Sequence, residues 1–206
     1  MSRARPQTRI QQKNSEAILE AALQVFSQHG FRGSTLDQIA EVAGLSKPNL
    51  LYYFPSKEAI HVALLSGLMK VWLDPLRALN PEGEPVEEIL AYIRRKLKLS
   101  RDFPRESRLF ANEILQGGPR LQTALVEELK PLVDDRAAVI SRWMDEGRLA
   151  RLEPHHLIFS IWATTQHYAD FDVQVRAVLG TTDDSHFAEA EDFLMTLFRR
   201  SLTPAG

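Results

Sequence analysis

The sequence predicts an all-α protein of about nine helices, and three observations lead to this fold class. Apolar residues recur every three or four positions through most of the 206 residues, which is the spacing of a helix with one buried face. Glycine and proline separate these stretches where helices would begin or end. No stretch shows the apolar and polar alternation of a half-buried strand.

The first two helices are defined by their ends. An amphipathic helix is predicted from about 14 to 29, with Gly30 after its last turn. Thr35 and Gln38 have the spacing of a capping box, in which each side chain accepts from the other residue's backbone N–H. A short second helix therefore begins there, and Gly44 supplies the permissive backbone that ends it.

A third helix follows at once, because Ser46 can cap it and Pro48 is tolerated in its first turn. Two short helices joined by a tight glycine-containing turn form a helix-turn-helix. In that geometry Leu50 packs inward, and the side chains left on the outer face are suited to phosphates and base edges. The alternative interpretation is a solvated face with two half-buried tyrosines. The outward residues are Lys47, Asn49, Tyr52 and Tyr53.

The remaining helices are predicted from the same periodicity and from the glycine and proline residues that separate the helical stretches. Ser56 can cap a fourth helix that runs to Pro75, and the loop 81–85 (PEGEP) follows it. Arg94, Arg95, Lys96 and Lys98 form a charge run that is expected on a solvated face. The later helices are predicted at about 86–101, 105–116, 120–146, 154–180 and through 187–198.

The N-terminus, residues 1–13, contains four basic residues and little to bury, so it is predicted to be a disordered basic arm. Such an arm can lie along phosphates, and a solubilising tail is an equal alternative. Residues 1–57 hold seven Lys or Arg against four Asp or Glu, whereas the rest of the chain holds 18 against 23. The excess of basic over acidic residues therefore lies in the part of the chain that contains the helix-turn-helix.

These motifs resemble the DNA-binding domain of the TetR family of bacterial regulators. The resemblance rests on Thr35, on the segment 39–46 (IAEVAGLS) and on the segment 52–58 (YYFPSKE). It implies a DNA-binding domain at 14–57 and a ligand-binding and dimerisation domain at 58–206. It also implies a homodimer on a palindromic double-stranded operator, and two long C-terminal helices that could pair into a four-helix bundle agree with this. The predicted DNA-binding residues are Thr35, Ser46, Lys47, Pro48, Asn49, Tyr52, Tyr53 and Lys57.

The segment 159–171 (FSIWATTQHYADF) is chemically unusual for a core helix. Trp162, Gln166 and Asp170 share one helical face with Thr165. An amide beside a flat ring suits a small planar heterocycle with alternating N–H and C=O groups. The alternative is that Gln166 binds backbone and that its neighbours form an interface.

Three segments, 46–60, 107–110 and 156–171, look very much like a TetR-family regulator of pyrimidine utilisation. This resemblance implies that the protein is a repressor that releases operator DNA on binding uracil or thymine. It implies Trp162 and Gln166 as ligand contacts and Trp72 as a stacking wall, and Thr165 and Phe110 complete the predicted ligand site. A TetR-type repressor with a hydrophobic or drug-like effector is the alternative.

Composition restricts the other functional classes. The chain has no cysteine, which excludes disulfides and thiolate metal sites. His155 and His156 are adjacent and face different directions, so no metal site and no cofactor are predicted. No phosphate loop or catalytic triad argues for an enzyme. No apolar run of 18 residues or signal segment occurs, so a cytoplasmic protein without a membrane partner is expected.

Overall fold

The computed structural model describes residues 9–204, and within this range it is all-helical, with ten helices and no strands. The predicted fold class is confirmed. Contacts divide the chain into two compact units, Met1–Leu68 and Met69–Gly206. The division lies inside the fourth helix, later than the boundary that the sequence suggested after residue 57, because the first turns of that helix bury Ile60, Leu64 and Leu65.

The first unit is built on the predicted helix-turn-helix. It contains α1 (Arg9–Gly33), α2 (Leu36–Val42), α3 (Lys47–Tyr53) and the first part of α4 (Lys57–Arg77). Helix α1 is interrupted at Gly30, whose φ of 67° and ψ of 168° are not helical. This agrees with the predicted end of the first helix at that glycine.

The predicted N-terminal arm is only partly described. Residues 9–13 form the first turns of α1, where the Gln12 side chain donates to the Glu16 carboxylate at 3.0 Å. The prediction of disorder is therefore wrong for residues 9–13, because such side-chain bonds one turn apart support a helix. Residues 1–8, the remainder of the predicted arm, lie outside the described residues.

The second unit holds the rest of α4 and six further helices. Helix α7 is continuous but contains one π-helical turn, so it consists of Gln122–Ala124, Leu125–Leu129 and Lys130–Asp145. The other helices are α5 (Pro85–Asp102), α6 (Pro104–Leu115), α8 (Pro154–Asp170), α9 (Asp172–Leu179) and α10 (His186–Leu202).

Two predicted helix boundaries differ from the structure. Helix α4 passes Pro75 and ends at Arg77. The single helix predicted at 154–180 is wrong, because Phe171 leaves the helical region with a φ of −114° and a ψ of 27°. The apolar pattern continues through Phe171, so periodicity alone could not reveal the break between α8 and α9.

The core of the second unit forms around α5. One face of α5 is buried, including Leu90, Tyr92 and Ile93, and α8 and α10 pack against this helix. Helices α6 and α7 pack against α8. Trp143 of α7 is fully buried, and its indole N–H donates to the Pro81 carbonyl at 3.1 Å, which attaches the loop after α4 to the core.

Helix α4 is also long and apolar enough to cross a membrane by length and composition. Its most apolar 18-residue window has a mean hydropathy of 1.3, and half of that window is buried inside the structure. The core helices of soluble proteins pass the same test, so the helix is weak evidence for a membrane span.

We expect opposite effects from alanine at two glycines of the first unit. Gly30→Ala should lower the free energy of unfolding by about 1–3 kcal/mol, because an L-residue is strained at this backbone geometry. Gly67→Ala, inside α4, should raise it by about 0.5–1 kcal/mol, because alanine is the better helix former. No atom lies within 4 Å of either added Cβ, so the comparison isolates the backbone. Urea unfolding measures both values, and equal effects would contradict the assigned geometry.

Candidate functional site

The two short helices of the first unit are capped as the sequence predicted. The Thr35 hydroxyl accepts from the Gln38 backbone N–H at 3.2 Å, and the Thr35 N–H donates to the Gln38 side chain at 2.8 Å. The Ser46 hydroxyl accepts from the Asn49 N–H at 3.3 Å. Both predicted caps are confirmed, and α2 and α3 are joined by a tight turn through Gly44, whose φ is positive.

Helix α3 separates an apolar side from a polar side. Leu50 is fully buried, whereas Lys47, Pro48 and Asn49 are exposed. Tyr52 is 71% exposed. A short helix that presents an ammonium, an amide and a phenol to solvent has the side chains that contact phosphates and base edges.

The two tyrosines of α3 are positioned by α1. The Asn14 amide donates to the Tyr53 hydroxyl at 2.8 Å, and the Gln11 amide donates to the Tyr52 hydroxyl at 3.3 Å. Tyr53 is half-buried, and its ring meets that of Tyr52 edge-on at 5.2 Å. Sequence reasoning missed these two amides, because they lie about forty positions from the tyrosines.

Lys47 and Lys57 have different partners. The Lys47 ammonium contacts the Asp37 carboxylate at 2.9 Å, but both side chains are largely exposed, so the pair is weak and a phosphate could replace the carboxylate. The Lys57 ammonium instead donates to the carbonyls of Phe31 and Ser34 at 2.7 and 2.6 Å. It also lies 4.5 Å from the Phe31 ring centroid.

The structure therefore gives Lys57 a role that the sequence did not predict. Its ammonium joins the start of α4 to the end of α1 and to the segment before α2, because it bonds the backbone carbonyls of Phe31 and Ser34. The expectation that Lys57 meets a phosphate arose from its place at a helix N-terminus. That expectation did not take into account the carbonyls of residues 31 and 34, which already accept hydrogen bonds from the ammonium.

The predicted ligand residues of the second unit differ in exposure. Trp72 and Thr165 are buried, whereas Phe110, Trp162 and Gln166 are half-buried. The Thr165 hydroxyl donates to the Ile161 carbonyl of its own helix at 2.7 Å, so it is satisfied without a ligand.

Lys96 is the residue of this region that sequence reasoning missed. It is only 3% exposed, although its charge run was expected on a solvated face, and that expectation is wrong for this position. Its ammonium lies 4.6 Å from the Trp72 ring centroid. It faces the Asp170 carboxylate, which accepts from the Ser107 hydroxyl at 2.5 Å. Trp72, Lys96, Ser107 and Asp170 thus form one polar cluster, hereafter the Lys96 cluster, contributed by α4, α5, α6 and α8.

Burial shifts the ionisation of this cluster. Desolvation lowers the pKa of Lys96 from 10.5 to about 7, and the nearby Asp170 carboxylate opposes this shift. Desolvation also raises the pKa of Asp170, against the stabilising effect of the Ser107 hydroxyl. One turn beyond Lys96, the Ser100 hydroxyl is buried and has no hydrogen-bond partner among residues 9–204. Buried polar groups of this kind are typical of a site for a polar ligand.

Trp162 is hydrogen-bonded to a buried tyrosine of α5. Its indole N–H donates to the Tyr92 hydroxyl at 2.7 Å, and burial raises the pKa of Tyr92. The indole N–H is therefore already used, and Trp162 offers ring surface rather than a donor. The ring also borders a cleft of about 210 Å³ with Leu129, Val133 and Phe159.

Within residues 9–204, no three His, Asp or Glu side chains approach closely enough to hold a metal ion. The Lys96 cluster offers a different chemistry: a donor ammonium, an acceptor carboxylate and an aromatic ring.

Two protein families match this chain. The family described as bacterial regulatory proteins, tetR family, matches residues 18–64. The family described as YcdC-like protein, C-terminal region, matches residues 65–205. Together they cover both compact units.

Individual proteins are similar over almost the whole length. The HTH-type transcriptional regulator RutR of Escherichia coli is 49% identical over 191 residues, which covers 92% of this chain and 90% of the relative. The fatty acid degradation regulator FadR of Bacillus halodurans has a similar fold, with a TM-score of 0.63 at 19% identity over 96% of each chain. The structure of AibR in complex with isovaleryl coenzyme A and operator DNA matches with a TM-score of 0.67 at 19% identity, over 89% of this chain and 97% of that one.

Substitution of the two lysines of the first unit should separate their roles. We expect Lys57→Met to lower the free energy of unfolding by about 1.5–3 kcal/mol, because two hydrogen bonds from a charged donor are lost. Lys47→Met should change it by less than about 0.5 kcal/mol, because its ion pair is exposed. Urea unfolding of both variants tests this, and a neutral Lys57→Met would contradict the structural role.

The low pKa of Lys96 predicts that stability depends on pH. Well below pH 7 the folded and unfolded chains both carry the charge, so the full cost of burying it is present. Between about 7 and 10.5 the folded chain releases the proton while the unfolded chain keeps it, so this cost is removed and stability rises. The rise approaches about 1.4 kcal/mol per pH unit.

Lys96→Met removes this titration. The difference in unfolding free energy between the native chain and the variant should therefore shift in favour of the native chain as the pH rises from about 7 to about 9. Urea unfolding across this range measures the difference. Parallel pH profiles of the two proteins would show that the ammonium is not buried in solution.

Proposed function

Because the chain belongs to the TetR family of bacterial regulatory proteins, we propose that it represses genes of pyrimidine utilisation and leaves its operator when uracil or thymine binds. The chain is a transcriptional regulator with a TetR DNA-binding domain, and its relatives are regulators rather than enzymes. Regulators of this family bind operator DNA and small-molecule effectors and act as dimers. As a DNA-binding regulator, the protein is expected to act in the cytoplasm.

The DNA contacts are assigned to the exposed side of α3. Lys47 and Tyr52 can reach phosphates, and the Asn49 amide can form a bidentate pair with adenine. Thr35, Ser46 and Pro48 lie at the helix starts, where free backbone N–H groups attract phosphates. Two such helices in a dimer would read successive major grooves of a palindrome, about 34–36 Å apart.

The dimer is assigned to α8 and α10. Phe193 is 60% exposed on α10, one turn before the exposed Leu197, and Phe159 is exposed on α8. Large apolar side chains in such numbers on two long helices favour a partner surface. A second copy of the same helices would cover them as a four-helix bundle.

The Lys96 cluster is the observation that carries the effector assignment. Uracil and thymine present carbonyl oxygens and ring N–H groups in alternation. A protonated Lys96 can donate to a carbonyl, and an ionised Asp170 can accept from an N–H. Gln166, one turn before Asp170 on α8, can do both, and Trp72 supplies a flat apolar wall. The 49% identity to RutR and the pyrimidine-regulator motifs of the sequence support the same choice.

Release of DNA requires that the effector bind the state without DNA more tightly, since only a difference in affinity shifts an equilibrium. Helix α4 contributes Lys57 to the first unit and Trp72 to the second. A ligand that moves Trp72 therefore acts on a helix that also belongs to the DNA-binding unit.

Operator release provides the test. An operator is first selected from random-sequence DNA with the full-length protein, and a mobility-shift assay then measures the binding of that DNA as uracil is added. We expect uracil and thymine to release the DNA and cytosine to fail, because cytosine lacks the N–H between two carbonyls. Intact binding at millimolar uracil would disprove the effector assignment while leaving the DNA-binding assignment in place.

Lys96→Met is the matched variant for this experiment. It should keep operator affinity but require about tenfold more uracil, or more, because a hydrogen bond from a charged donor is worth about 1.5–3 kcal/mol. Lys98→Met serves as the control, since Lys98 is exposed and pairs with Asp102 on the other side of α5. Equal uracil response in all three proteins would exclude Lys96 from the effector site.

A further inference from the structure

A notch of about 340 Å³ lies between the first turns of α1 and the end of α3. Four of the five residues that line it end in a hydroxyl or an amide, and none of the five is charged. The notch therefore offers neutral hydrogen-bonding groups beside Tyr52, which is 71% exposed. The lining residues are Gln11, Ser15, Tyr52, Tyr53 and Phe54.

The two segments that form the notch are basic. Residues 9–15 (RIQQKNS) of α1 contain Arg9 and Lys13, both exposed, and no acidic residue. Helix α3 contains Lys47, which pairs with Asp37 of α2, and no acidic residue of its own. Neutral donors between basic side chains suit the phosphates of a DNA backbone, which tyrosine, serine and glutamine commonly contact.

The hydrogen bonds at the notch have a defined direction. The Asn14 amide donates to the Tyr53 hydroxyl at 2.8 Å, and the Gln11 amide donates to the Tyr52 hydroxyl at 3.3 Å. A phenol oxygen that accepts an amide N–H keeps its own proton to donate to another group. An ionised phosphate oxygen only accepts hydrogen bonds, so it is a matching partner for that proton.

We propose that Asn14 and Gln11 are positioning residues for DNA binding: they orient the Tyr53 and Tyr52 hydroxyls so that each donates its proton to a backbone phosphate of the operator. The proposal rests on the DNA-binding part of the proposed function and not on the effector. It makes α1 part of the DNA interface, although the two amides act through the tyrosines.

Asn14 has the larger effect of the two amides. Its bond to Tyr53 is shorter and part-buried, whereas the bond between Gln11 and Tyr52 is exposed. The Tyr53 ring also meets the Tyr52 ring edge-on at 5.2 Å, so a fixed Tyr53 restricts its neighbour. Side chains that are held in place before binding lose less conformational freedom when the DNA arrives.

A double-mutant cycle on operator affinity tests the proposal with the full-length protein, the selected operator and no effector. Asn14→Leu keeps the approximate size of the side chain but removes the amide, and Tyr53→Phe removes only the hydroxyl. We expect each change to weaken operator binding about tenfold, because a dimer loses one neutral hydrogen bond at each half-site. The combined variant should lie within about twofold of the weaker single variant.

Operators with single neutral methylphosphonates give a readout that a merely structural role of Asn14 would not change. A methylphosphonate removes one acceptor oxygen, so the native protein should lose affinity at each contacted phosphate. At the phosphate that accepts from Tyr53, this loss should disappear in both Tyr53→Phe and Asn14→Leu. Losses at the other phosphates should remain.

Gln12 provides the matched controls, because it is exposed on α1 and donates to Glu16 rather than to a tyrosine. Gln12→Leu should stay within about twofold of native affinity. Asn14→Asp keeps the shape but offers an acceptor that takes the Tyr53 proton, so it should weaken binding more than Gln12→Glu, which adds the same charge.

The outcomes separate this proposal from the proposed function. Native affinity of Asn14→Leu, additive losses in the cycle, or a methylphosphonate profile that Asn14→Leu leaves unchanged would each overturn the positioning role while leaving DNA binding in place. If no operator is selected at all, the DNA-binding assignment fails and this proposal fails with it.

Discussion

The second unit depends on the burial of one face of α5 against α8 and α10. Burial of apolar side chains is the main favourable contribution to folding, and α5 supplies residues such as Leu90 and Ile93 that are fully buried. The same face carries Lys96, so packing that stabilises the unit also removes an ammonium from water. The cost of this burial lowers the pKa of Lys96 and leaves a donor that a ligand carbonyl could satisfy.

The first unit divides its polar side chains between structure and recognition. Thr35 and Ser46 bond backbone N–H groups that the starts of the two short helices leave unmatched, and Lys57 bonds the carbonyls of Phe31 and Ser34 ahead of α2. Lys47, Asn49 and Tyr52 remain exposed on α3. A capped turn that presents polar side chains to solvent suits the docking of a recognition helix, because the backbone is positioned before the DNA arrives.

Helix α5 carries two consecutive basic residues that are withdrawn from solvent to different degrees. Lys96 is 3% exposed and lies near the Trp72 ring of α4, and the Nε and Nη2 atoms of the preceding Arg95 are buried. Consecutive residues of a helix point about 100° apart, so the two side chains lie on different faces of α5. Since α4 also belongs to the DNA-binding unit, Trp72 lies on an element suited to regulation.

The sequence by itself determined the fold class, the helix-turn-helix and most helix ends. The caps at Thr35 and Ser46 and the break at Gly30 depend on hydrogen bonds and backbone angles within a few residues. Such features can be predicted from a short stretch of sequence. Only the tertiary structure decided which charges are buried. Within one run of basic residues on α5, Lys98 is exposed and Lys96 is buried. The residues that surround Lys96 come from three other helices, α4, α6 and α8. The bonds between Ser107 and Asp170 and between Trp162 and Tyr92 span 63 and 70 positions. Periodicity describes one helix at a time, so it cannot show which faces of different helices meet.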